Sequence, residues 1–155
     1  MIIDYSSLEH KLYSSSTVVS VKTKDTKEKI ATIYLQFAPV LTTQSNTKGK
    51  AGDWSNGINF QLEESTELIK FALILLGRTH EEAFKFHDGK NLSIKRNENG
   101  SLFFNLANRN KSLTIVANTT DIFHILVLTC AAIGNQYNMS NGEALNFIRA
   151  LPLFA

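Results

Sequence analysis

Two short sets of side chains in this sequence have the chemistry to hold a polyanion that carries flat rings. One set is Ser20, Lys22, Tyr34 and Gln36; the other is Ser93, Lys95, Phe103 and Asn105. Each offers an ammonium for phosphate, an aromatic face for stacking, an amide for base edges and a small hydroxyl. Stacking of one unpaired base on a ring is worth about 1–3 kcal/mol. Successive side chains on a strand point to opposite faces. With Leu102, Phe104 and Leu106 turned to a core, Phe103 and Asn105 point the other way. Three readings stay open at this level: base stacking, packing of the outward rings across strands, and a protein interface.

Other groupings are weaker. The four histidines, His10, His80, His87 and His124, show no metal-ligand spacing with a cysteine or with one another. Glu63, Glu64 and Glu67 cluster just before a helix, where carboxylates favour the positive end of the dipole. No serine, cysteine or threonine carries a nucleophile-elbow signature. Catalysis, a cofactor and a metal are therefore not expected. In KGKAGDW, Gly49 and Gly52 lack phosphate-loop spacing. Lys48 and Lys50 add cations there, and Trp54 either stacks on a base or anchors its loop.

Alternation defines the strands that must carry these residues. In the first half they are Thr17–Lys24, Ala31–Val40 and Ile58–Leu62; in the second, Ala83–His87, Leu92–Arg96, Leu102–Ala107 and Leu113–Val116. Large apolar residues are assigned inward, including Phe84 and Phe86, which leaves Lys85 and His87 outward with the two sets above. Asp88-Gly89 and Asn99-Gly100 are hairpin dipeptides, because both central positions of that turn need positive φ. The first helix is expected from Thr66 to Leu76, capped by Ser65 or Thr66 and ended by Gly77. The second is expected from Asp121 to Ile133, capped by Thr119 or Thr120 and ended by Gly134. Both are apolar on nearly every side, whereas a surface helix shows one stripe. A second subunit is the simplest cover, so a homo-oligomer is expected, packed through Leu68, Phe71, Leu73, Leu75, Phe123, Val127 and Cys130. A short amphipathic helix, Gly142 to Leu151, is expected in the tail and is assigned to packing on a neighbouring subunit.

The two halves match in order. Val19-Ser20-Val21-Lys22 resembles Leu92-Ser93-Ile94-Lys95, Ile33–Ala38 resembles Leu102–Ala107, and Ser65–Ile69 resembles Thr119–Phe123, at offsets of 73, 69 and 54. An ordered series points to an internal duplication. The 155 residues make one domain, with halves of about 13–77 and 83–134 and a tail of 138–155. The net charge is +2, so charge alone identifies no nucleic-acid binder. The single cysteine, Cys130, reads as a buried apolar residue and allows no internal disulfide. The opening MIIDYSSLEH has no leader pattern, and no apolar run is long enough to span a bilayer.

IYLQFAPV, a loop ending in DW, a strand and helix, FKFHDGK, then SLFFNLANRNKSL and a helix closed by glycine resemble, in that order, the Whirly proteins. The resemblance covers Tyr13 to Tyr137 and implies an α+β fold, a duplicated β-β-β-β-α unit with two antiparallel sheets packed with two helices. It further implies a tetramer built around the helices and binding of single-stranded DNA with little sequence preference, in replication, recombination or repair. RNA binding on the same fold is the second expectation, and a structural oligomer that binds protein the third. Binding residues expected under this reading are Tyr13, Ser14, Ser16, Lys22, Tyr34, Gln36, Lys48, Lys50, Trp54, Lys85, His87, Lys95, Phe103, Asn105, Arg109 and Lys111. One word departs from the family: its first-strand Lys-Gly-Lys-Ala-Ala-Leu is matched here by Ser14–Val19, without either lysine. That puts assembly beyond the tetramer, and one phosphate contact, in doubt. The expected compartment is a bacterial or phage-infected cytoplasm, or an organelle if a leader has been removed.

Overall fold

The alternating stretches form two four-stranded antiparallel sheets in a computed structural model that describes residues 8–41 and 51–152. The first sheet holds β1 (Glu9–Tyr13), β2 (Thr17–Asp25), β3 (Ala31–Pro39) and β4 (Ile58–Gln61) in that order, followed by α1 (Glu67–Leu75). The second holds β5 (Glu81–His87), β6 (Lys90–Arg96), β7 (Leu102–Ala107) and β8 (Ser112–Ala117), followed by α2 (Thr119–Tyr137). A third helix, α3 (Asn141–Ala150), closes the chain. The architecture is α+β, with the β-β-β-β-α order written twice.

Register explains the core. Val19 and Val21 lie opposite Phe37 and Leu35, which lie opposite Ile58 and Phe60. In the second sheet Leu92 and Ile94 lie opposite Leu106 and Phe104. All are buried, each worth about 1.5–3 kcal/mol of transfer free energy. The two halves share one core: Phe71 of α1 meets Phe104 of β7 edge to face, with ring centroids 6.4 Å apart. β1 is a strand that alternation did not reveal. Its inward positions are His10 and Leu12, so it shows one buried apolar residue where a pattern needs several.

The helix ends differ from expectation at three places. Gly77 ends α1 as expected, at φ +77°, with its N–H on the Ile74 carbonyl. Thr66 stands at the start of α1 but makes no side-chain cap; Glu63 accepts from the Ser65 and Thr66 N–H groups instead. α2 is capped by Asn118, not Thr119 or Thr120, through a reciprocal pair with Asp121. Gly134 does not end α2. The helix runs three residues further to Tyr137, and Asn138 takes the left-handed cap at φ 53°. Gly134 is required for another reason. The returning chain crosses it so closely that a β-carbon would stand 2.5 Å from the Met139 carbonyl oxygen. Gly134→Ala should therefore destabilise the fold by about 1–3 kcal/mol, read as a lower urea midpoint; an unchanged midpoint would refute the close-approach account.

The chain covers most of its own apolar helix surface. Leu68, Phe71, Leu73, Leu75 and Cys130 are all buried within one copy, under the sheets and α3. These five have no face to offer a neighbour, which corrects the expected interface. Burial pushes the Cys130 thiol up to about 11. Phe123 and Val127 remain exposed, at 60% and 40%. The tail also packs on its own chain: Ala144 and Ile148 are buried, and the Arg78 guanidinium donates to the Arg149 and Leu151 carbonyls. Among the described residues, no helix is long and apolar enough to cross a membrane.

Candidate nucleic-acid interface

Strand pairing places the two recurring sets at equivalent positions. In the first sheet Lys22 lies opposite Tyr34 and Ser20 opposite Gln36. In the second, Lys95 lies opposite Phe103 and Ser93 opposite Asn105. Each register therefore carries a lysine–aromatic pair and, two residues along, a hydroxyl–amide pair, but Ser20 is buried and donates its hydroxyl to the Glu9 carboxylate at 2.7 Å, whereas Ser93 is exposed. The next strand extends both rows, with Gln61 and Asn59 in the first sheet and Val116 and Thr114 in the second.

The two faces are not identical. Phe103 is 36% exposed, with part of its ring packed on the sheet and part open to solvent. It borders a shallow cleft of about 460 Å³ with Ser93, Lys95, Glu81 and Glu82. Lys95 reaches Glu81 at 3.6 Å, an exposed pair of small energetic weight. Partial burial raises the Glu82 carboxyl above its usual range, against the pull of Lys70. Tyr34 is half-buried, and its ring is already occupied: Lys24 Nζ sits 4.2 Å from the centroid and Lys22 Nζ 5.5 Å. Burial also raises its phenol, opposed by a hydrogen bond with Asn59. In the free protein Tyr34 gathers two ammonium groups over the sheet rather than offering a bare ring. Gln36 donates to the Asn59 side chain at 3.4 Å, and Asn105 accepts from the Ser112 hydroxyl at 2.6 Å.

The other expected residues divide. Tyr13 is exposed on the outer face of β1. Ser14 is engaged in the β1–β2 turn, donating to the Thr17 carbonyl and accepting from the Thr17 N–H. Ser16 is exposed beside it. Lys48 and Lys50 lie outside the described residues. Trp54 begins a short 3-10 turn (Trp54–Asn56) and is 40% exposed. Two hydrogen bonds within this turn, from Asn56 and then Ser55, hold the Asp53 carboxyl below its usual range.

The largest departure lies in β5. Pairing with β6 shifts between Phe84 and His87, so the expected inward and outward assignments reverse at Phe86 and His87, while Lys85 stays outward. Phe86 points fully into solvent at 99% exposure, and His87 turns inward. His87 Nε2 sits 2.8 Å from both Glu67 carboxylate oxygens, and its ring lies 4.1 Å from that of Phe60. It ties the second sheet to the start of α1, with its side chain 23% exposed rather than turned out on the sheet face. Nothing in the alternating word Phe84-Lys85-Phe86-His87 signals the bulge; Glu67, waiting inside, is what takes the histidine. Lys85 and Arg109 are exposed, and Lys90 and Lys111 donate to the Asn59 and Asn56 carbonyls of the first half. Among the described residues, no group of three His, Cys, Asp or Glu side chains is placed to hold a metal ion.

No protein-family model matches the chain, and no curated protein does. Among solved structures it is similar to a chain from the crystal structures of Trypanosoma bruciei MRP1/MRP2, with a TM-score of 0.57 and 13% identity over 87% of this chain and 80% of that one. At that identity the likeness speaks for the shared α+β fold.

Proposed function

We propose that this chain binds single-stranded DNA, with little sequence preference, on the outer faces of its two sheets. The observation that carries the reading is the repeated pairing of Lys22 with Tyr34 and Lys95 with Phe103 across neighbouring strands. Unpaired bases stack on Phe103 and lie over the exposed Ser93, the amides meet base edges, and the lysines stand where phosphates pass. Stacking and phosphate contacts do not discriminate between bases, so the binding is tolerant of sequence. Duplex DNA keeps its rings paired and stacked inside, out of reach of Phe103. The protein acts as a homo-oligomer, a tetramer under the Whirly resemblance, assembled through the exposed Phe123 and Val127 of α2 rather than through the buried α1. Val127→Asp should then reduce the particle size in light scattering with the fold retained, because the site is open in the single copy; an oligomer of unchanged size would refute this surface.

The test of binding is fluorescence anisotropy with labelled oligo-dT of about 30 nucleotides, competed with duplex DNA and with RNA of the same length. Tight binding that duplex does not compete supports the reading. Equal competition by RNA would make RNA the substrate class, and no binding at low salt would overturn a nucleic-acid role.

A further inference from the structure

Phe86 stands out on two independent grounds. Its side chain is 99% exposed, although it belongs to a residue type that folding ordinarily buries. Its backbone φ is +67°, in the left-handed region that a bulky residue occupies only under strain. Continuing the regular ladder would have turned this ring inward. The bulge instead holds it out, beside a hairpin whose Asp88 and Gly89 also have positive φ.

The surroundings say what such a ring faces. Lys85 is exposed next to it, and Lys90 and Lys111 donate to backbone carbonyls of the first half. The Arg109 guanidinium lies against the hairpin, its Nε 3.3 Å from where a β-carbon on Gly89 would stand. Among the described residues none of these four cations forms an ion pair. Asp88, and Asp53 near Lys111, are the opposing carboxylates. An apolar protein partner seated on Phe86 would bury four cations against two carboxylates, and the uncompensated charge is costly. A polyanion with accessible rings satisfies both the ring and the charges. The position also fits a crossing point. A cleft of about 290 Å³, lined in part by Asn59, Gln61, His87 and Lys90, joins the edge of the first sheet's outer face to this hairpin.

We propose that Phe86 is a base-stacking wedge at the seam between the two sheets, with Lys85, Lys90 and Arg109 on the flanking phosphates, so that one DNA strand passes from the first sheet to the second within a single chain. This rests on the single-stranded DNA reading above and adds a site to it. Strain at Phe86 is retained because the ring has to stand where a base arrives.

Phe86→Gly separates binding from folding, because glycine adopts positive φ freely. The thermal midpoint should stay level or rise, while the Kd for labelled oligo-dT rises at least about fivefold, the weakest loss expected for one stacked base. Phe86→Trp should restore the affinity. Wild-type binding with no change in Phe86→Gly would overturn the wedge and leave the outer-face reading standing. A fall in both midpoint and affinity would make Phe86 a structural residue and also overturn it. Failure of the wild type itself to bind would sink both proposals together.

Discussion

Phe71→Ala is expected to cost about 3–5 kcal/mol of folding stability and to loosen both sheets at once. Phe71 is fully buried in α1, an element of the first half, and its ring meets Phe104 of the second half edge to face. Removing it leaves a cavity at the junction, where neither sheet can collapse without giving up its own register. The urea midpoint should fall sharply, and hydrogen exchange should accelerate in β3 and β7 together. A loss below about 1 kcal/mol, or faster exchange confined to one sheet, would show that the halves are separate cores.

Lys95→Ala combined with Phe103→Ala should weaken oligo-dT binding about 10- to 100-fold while leaving stability nearly unchanged. The stacked base supplies most of that loss and the phosphate contact the rest. The Lys95–Glu81 pair is two-thirds exposed on both sides, so its removal costs the fold about 0–1 kcal/mol. Phe103 also lies opposite Val116, which is half exposed. If the ring serves only to pack across that pair, Phe103→Ala will lower the midpoint and leave binding alone. The double variant would then bind nearly as the wild type does, and the second sheet would lose its place in the account.

Much of the fold was legible because large apolar residues alternate along its strands, most cleanly in β6 and β7, while β2 and β3 also bury small residues on their other face. Leu102-Phe103-Phe104-Asn105-Leu106 reads directly as in, out, in, out, in, and the structure keeps that order. The lysine–aromatic register of both sheets followed from the same parity. What was hidden depends on contacts between distant residues. β1 has no alternation because His10, one of its inward residues, pairs with Asp121 of α2 at 2.8 Å. The reversal at Phe86 and His87 is set by Glu67 and Phe60, residues 20 and more positions earlier. Gly134 looked like a stop because glycine often ends helices; here the crossing of Met139 demands it. The helices looked bare because their cover, α3 and two sheets of the same chain, cannot be read from α1 or α2 alone.

The most direct measurement is photochemical crosslinking of a bromouracil-substituted single strand to the native protein, with the attached peptides identified by mass spectrometry. Crosslinks should concentrate on the peptides that carry Phe103 and Phe86, suppressed by unlabelled oligo-dT and not by duplex. Crosslinks confined to the α2 and α3 surface, or equally suppressed by duplex, would contradict single-strand binding on the sheet faces.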